Sequence, residues 1–117
     1  MADKDTLGRA GEKYAAKLIR EKGYKIIATN IKTVFSEVDI VAIDNDTLVF
    51  VEVKTRSNKI FGHPLESVGK RKIERLKRAI KTYSKNNPKL PKRLRIDVIS
   101  LLVNKKKVDE SRLVKIY

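Results

Sequence analysis

A chain of 117 residues can build one modest core, and it has no run of the roughly 18–20 apolar residues that a membrane span needs. It contains no cysteine and one histidine, His63, which excludes disulfides, thiol chemistry and a multi-histidine metal site within the chain. The formal net charge of +14 sits almost wholly in the second half: residues 59–117 carry 18 Lys/Arg against 5 Asp/Glu, residues 1–58 carry 10 against 9. Such a basic half points to a polyanionic partner; no strongly apolar amphipathic face accompanies it, so a membrane surface fits less well. The start carries no apolar signal core, and the expected compartment is the cytoplasm.

Taken in chain order, residues 5–22 predict a first helix, with Asp5 or Thr6 as its cap and Gly23 as its terminator. Leu7, Gly11, Tyr14, Ala15 and Leu18 recur at helical spacing and form its expected buried stripe. Glu12 lies on the shoulder of that stripe and by itself reads as a surface glutamate. Residues 24–31 alternate well enough for a strand, and residues 32–36 link it to the next element.

Residues 37–54, EVDIVAIDNDTLVFVEVK, predict a hairpin of strands 37–43 and 48–54 around a polar turn. Pairing Ile43 with Leu48 sets Val41 against Phe50, Asp39 against Glu52 and Glu37 against Lys54, all on one face. Directly opposed side chains have Cβ atoms roughly 4.5–5.5 Å apart, and like charges there repel. Something cationic between the two carboxylates relieves this. Lys54 supplies part of that charge, and a divalent metal would supply more. With no softer ligand nearby, oxygen donors favour magnesium, manganese or calcium.

Residues 55–65 contain Gly62 and Pro64 and read as a loop, with His63 in a turn or surface role. A second helix is predicted over residues 66–85, packing on the sheet through Ile73, Leu76, Ile80 and Tyr83. Lys70, Lys72, Arg75 and their basic neighbours are expected to point outward from it. Residues 86–92 connect it to a strand over 93–103 that holds Asp97, and residues 108–117 predict a weaker edge strand. The whole reads as one α/β domain spanning residues 1–117, a mixed sheet flanked by helices in the order α-β-β-β-α-β-β.

Asp39 followed by Glu52-Val53-Lys54 is an Asp…Glu-X-Lys arrangement. Two carboxylates that hold a magnesium ion, beside a lysine that steadies charge on a phosphate, suit phosphodiester hydrolysis. A surface cluster of ion pairs is the alternative reading of the same residues.

At this point the chain resembles the PD-(D/E)xK nuclease superfamily, and more closely the YraN family of predicted endonucleases. The resemblance is carried by GRAGEKYAAKLIREKGY, SEVDIVAID, LVFVEVKTRS, FGHPLESVGKRKIERLKRAIKTY and RIDVISL, in the family's order and spacing. It implies a restriction-endonuclease-like core, metal binding by Asp39 and Glu52, and Lys54 as the catalytic lysine. It also brings Glu12 into the site, as the glutamate of the family's first helix. Ser36 stands where the family's segment before the aspartate usually has glycine, and the superfamily's proline is absent. Asp97 matches an aspartate for which a structural role, pairing with Arg95 or another basic group, is expected, and Lys72 matches a lysine of the family's basic helix, read as a phosphate contact.

The function implied is that of a magnesium-dependent DNA endonuclease, with manganese as substitute. Archaeal Holliday-junction resolvases are small chains of similar arrangement, which makes four-way junctions one candidate substrate. Such enzymes act as dimers, and a homodimer suits a chain too small to clamp a branched duplex alone. Arg56, Lys70, Lys72 and Arg75 are the expected nucleic-acid contacts. The alternative is a non-catalytic nucleic-acid-binding module on the same fold; a weaker third is an interaction protein that meets DNA through a partner.

Overall fold

The computed structural model describes residues 3–57, 69–105 and 107–117. Its elements are α1 (Asp3–Glu21), β1 (Lys25–Lys32), β2 (Glu37–Asp44), β3 (Thr47–Arg56), α2 (Lys70–Asn86), β4 (Arg93–Asn104) and β5 (Lys107–Lys115). The five strands lie side by side in chain order. Neighbours are antiparallel except β3 and β4, which run parallel. Parallel strands need a long crossover, and the segment containing α2 supplies it. This is the mixed α/β architecture and element order that the sequence predicts. Among the described residues no helix is long and apolar enough to cross a membrane.

Helix α1 stops where glycine allows it. Gly23 has φ +95°, its N–H donates to the Arg20 carbonyl, and the Tyr24 N–H reaches back to the Ile19 carbonyl at 2.9 Å. This pair of bonds is a Schellman motif, and Tyr24 and Ile19 pack together beneath it. The helix already begins at Asp3, so Asp5 and Thr6 lie inside it and are not its cap. Its buried stripe is Gly11, Ala15 and Ile19, while Tyr14 is 40 % exposed. Tyr14 lies about 100° round the helix from the centre of that stripe, which is why it faces solvent. The Leu7 side chain lies outside the described residues.

The sheet has an apolar cluster on each face. Ala15, Ile19 and Tyr24 cover Ile40, Ala42, Val49, Val51, Ile99 and Leu101 on one side. Leu76, Ala79 and Ile80 of α2 cover Val41, Leu48, Phe50 and Ile96 on the other. Tyr83 closes the second cluster with an edge-to-face contact on Phe50, centroids 5.5 Å apart.

Beyond shifts of one or two residues elsewhere, the segment between β3 and α2 differs from the sequence reading. Thr55 and Arg56, expected in a loop, extend β3 because they continue the ladder to Leu101 and Leu102 of β4. Helix α2 begins at Lys70, after Gly69 in extended conformation (φ −70°, ψ 163°), which interrupts the helix expected from residue 66. Residues 58–68, with His63 and most of the expected loop, lie outside the described residues.

On the α1 face, β4 carries a buried polar network. Arg95 Nε donates to Asp97 Oδ1 at 2.8 Å, and its Nη2 reaches Asp44 Oδ2 at 2.8 Å and the Tyr24 hydroxyl at 2.7 Å. The Tyr24 hydroxyl in turn donates to Asp97 Oδ2 at 2.6 Å. Burial and the Asp97 carboxylate both push the Tyr24 phenol upward, so it stays a donor. Asp97 thus has the structural role beside Arg95 that the sequence reading assigns to it. Tyr24→Phe removes one bond to a fully buried carboxylate and should cost about 1–3 kcal/mol. Asp97→Ala strips Arg95 of its inner partner and should cost about 3–5 kcal/mol. Urea denaturation measures both, and because the groups share one network the double mutant should cost less than the sum.

Candidate active site

The hairpin register holds along most of its length: Asp44–Thr47, Ile43–Leu48, Ala42–Val49, Val41–Phe50 and Ile40–Val51 are partners. The ladder then stops, one pair short of Asp39 and Glu52. Asp39 takes over the role of a strand neighbour, accepting the Val53 N–H on Oδ2 at 2.7 Å. The expected pairing of Glu37 with Lys54 is not made in this ladder; Glu37 lies against Lys32 of β1 and is exposed. A side chain bonded into the neighbouring backbone replaces a cross-strand pair, and this is what ends the hairpin at the site.

Strand alternation places Glu52 and Lys54 on the α2 face, in line with Leu48 and Phe50. Glu52 is only 5 % exposed. Its Oε2 stands 3.6 Å from Lys54 Nζ and 3.8 Å from Lys72 Nζ, which reaches in from α2. The expected outward orientation of Lys72 is therefore wrong. Lys72 precedes Leu76 by four residues and so continues the packed stripe of α2, at the point where the sheet offers a carboxylate instead of an apolar side chain. Arg75 and Lys70 are exposed and do point outward. With Arg71, Glu74 and Arg78 they line an open concavity of ≈ 320 Å³ on α2. Arg56 is half-buried at the end of β3, beyond Lys54.

Glu12 enters the same neighbourhood from α1. Its carboxyl is pushed up by burial and by the charge of Asp39, and drawn down by a hydrogen bond from the Asn30 side chain and by Arg9. Asn30 stands at φ +50° in β1, a backbone geometry that asparagine tolerates better than most residues. Sequence reading missed Asn30, whose only signal was a polar residue known for left-handed backbone inside an otherwise alternating strand. Gly11 brings the helix close enough: a Cβ there would collide with Thr55 Oγ1 on β3.

Burial raises both central carboxyls. For Asp39 the Val53 N–H and the ammonium groups of Lys72 and Lys54 oppose it. For Glu52 the charge of Asp39 adds to it, and Lys72 and Lys54 again oppose it. Among the described residues no three His, Cys, Asp or Glu side chains group tightly enough to enclose a metal ion. Asp39 and Glu52 remain as two oxygen ligands, a set that fits a magnesium-sized ion able to keep water and substrate oxygens in its other positions.

The raised pKa of Asp39 has a consequence for stability. Below its unfolded pKa of about 4 the carboxyl is protonated in both states and its full contribution is present. As pH rises through the higher folded value, the folded protein must ionise a buried carboxyl, and that contribution is lost. Asp39→Asn keeps an acceptor for Val53 without the charge. It should resist urea better than the unsubstituted protein at pH 7, and the gap should close as pH falls toward about 4. An advantage that persists unchanged at the lower pH would assign it to something other than the charge.

Comparison with known proteins shows the family of this chain. The family described as "Uncharacterised protein family UPF0102" matches residues 11–101, which contain Glu12, Asn30, Asp39, Glu52, Lys54 and Lys72. A UPF0102 protein of Syntrophomonas wolfei is 46 % identical over 97 residues, covering 83 % of this chain and 84 % of its own. One from Paenarthrobacter aurescens is 43 % identical over 104 residues, covering 89 % and 86 %. One from Dictyoglomus turgidum is 38 % identical over 100 residues, covering 86 % and 85 %. The match of most of the chain at this level of identity means that it belongs to the YraN-type protein family UPF0102.

Proposed function

We propose that this chain is a metal-dependent endonuclease of the PD-(D/E)xK type that cuts phosphodiester bonds in DNA. The observation that supports it best is the convergence at Glu52. A nearly buried carboxylate, a second carboxylate bonded into the next strand, and two ammonium groups within 4 Å of one oxygen occupy one end of the sheet. An ordinary surface ion pair needs none of that burial.

Asp39 and Glu52 would hold the cation, magnesium or manganese in its place. When bound, it supplies a Lewis acid for the phosphate and lowers the pKa of water. Asp39 is oriented for this by the Val53 N–H, which fixes its Oδ2. Lys54, one-third exposed, sits where an ammonium can meet the charge that grows on a phosphate oxygen during attack. Glu12, its carboxyl raised by burial and by Asp39, is suited to take up a proton from the attacking water. The exposed cations of α2 would grip the backbone of the strand on either side. Branched DNA, including four-way junctions, is the substrate class to which the resemblance points.

A cleavage panel of single strands, nicked and flapped duplexes and four-way junctions, with magnesium or manganese, tests the reading. Asp39→Ala, Glu52→Ala and Lys54→Ala should each lower cleavage by about 10²-fold or more, while Lys54→Ala binds DNA nearly as before. Three variants that cut as well as the parent would sink it.

A second reading, a binding module without catalysis, draws on the outer face of α2, which is independent of the carboxylates. If that face meets phosphates, Lys70→Ala with Arg75→Ala should reduce the log–log salt slope of DNA binding by about 1–2 units. The loss should be similar across unrelated sequences, because phosphate contacts do not read bases. Binding that survives this change with its slope intact would move the nucleic-acid surface elsewhere.

A further inference from the structure

Lys72 is out of place for a residue that only grips nucleic acid. Its neighbours Lys70, Arg71 and Arg75 are exposed, whereas its side chain is 27 % exposed and turned onto the sheet. Its Nζ lies 3.8 Å from the same Glu52 oxygen that Lys54 approaches at 3.6 Å. It also acts on Asp39, where its charge outweighs that of Lys54. One ammonium next to this carboxylate pair is expected of the proposed chemistry. The second comes from a different element and reaches the same Glu52 oxygen that a cation would have to engage.

We propose that Lys72 is a built-in counter-ion that competes with a divalent cation for Glu52 and leaves it for a phosphate when nucleic acid binds. The proposal rests on the metal-dependent reading above and adds a condition to it. In the free protein the ammonium stands beside Glu52 and compensates its charge. A phosphate arriving along the basic face of α2 offers that ammonium a fully charged partner, and the lysine stem is long and flexible enough to change partners. Once it has moved, Glu52 is left facing Asp39 with one positive charge fewer, which favours a cation. Metal and nucleic acid then bind with positive coupling, and linkage requires that each strengthens the other equally.

The test uses Lys72→Gln, with Arg75→Gln as control for the same change in net charge on the same helix. Circular dichroism and urea denaturation establish that both fold. Calorimetric titration of the free proteins with Mn²⁺ should show tighter binding in Lys72→Gln by several-fold, and a change of less than about twofold in Arg75→Gln, since an exposed charge acts only through a screened field. Anisotropy of a labelled four-way junction, with and without Ca²⁺ as a cation of the same donor preference, gives the coupling. Ca²⁺ should tighten junction binding by the unsubstituted protein and do so far less in Lys72→Gln.

Equal or weaker Mn²⁺ binding in Lys72→Gln, or binding in neither protein, overturns the proposal. Tighter Mn²⁺ binding with no coupling in the unsubstituted protein overturns the release onto phosphate and upholds the competition. Asp39→Ala separates this from the parent reading. If it binds Mn²⁺ as the unsubstituted protein does, the ion is held elsewhere and both fall. If it loses Mn²⁺ while Lys72→Gln changes nothing, the metal site stands and the counter-ion does not.

Discussion

Glu52 is two residues from Phe50 on the same face of β3, and both side chains are withdrawn from water. Phe50 is satisfied by Leu76, Ile80 and Tyr83 around it. An ionised carboxylate so placed loses several kcal/mol of hydration and must be compensated within a few ångströms or be neutralised. The sheet face therefore changes from apolar to charged in a single step, and α2 has to change with it. Leu76 and Ile80 cover the apolar part, and Lys72, one turn earlier, covers the carboxylate. Sliding α2 by one residue would spoil the apolar packing and the charge pairing together. The alignment of helix and strand is set by both at once.

The opposite face positions the site by subtraction. Gly11 has no side chain, so α1 can approach Thr55, and Glu12 follows it toward Asp39. Asp39 occupies a backbone donor of β3 that a regular hairpin would have given to β2, which ends the ladder at Ile40–Val51. The charged end of the sheet is thus held by side chains, while its other end is held by the Tyr24–Arg95–Asp97–Asp44 network. The network ties β1's approach, β2 and β4 to one another, so the carboxylates are displayed from a sheet whose strands are fixed at a distance from them.

Most of the framework was legible because it depends on period-two alternation and on turn chemistry. The register of the hairpin followed from one pair, Ile43–Leu48, and the remainder of the apolar ladder obeyed it. It failed at Asp39–Glu52, where a side chain's preference for a backbone N–H competes with strand pairing and leaves no trace in an alternation pattern. On α2 the stripe was read from apolar residues alone. Lysine is normally exposed, so residue type alone points Lys72 outward, and only the carboxylate across from it makes the inward position tolerable. Tyr14 and Ile19 lie about 140° apart on α1, so the helix cannot bury both on one narrow stripe, and Ile19 is the one that follows Gly11 and Ala15. The helical pattern buries Gly11 but does not show that Thr55 fills the space of its missing side chain, and alternation gives no sign that Asn30 bonds to Glu12.

The identity of the two cations at Glu52 is itself informative. Arginine would have formed a bidentate pair with this carboxylate, planar and hard to exchange, and would have committed the site to a permanent ion pair. That is what Arg95 does with Asp97 at the other end of the sheet, where nothing has to move. Lysine brings a compact charge on a flexible stem, and at 3.6 and 3.8 Å neither ammonium is locked into a short hydrogen bond. The same sheet thus carries two arrangements of buried charge. One is closed by arginine and tyrosine and serves the fold. The other is loosely compensated by two lysines and can exchange its partners.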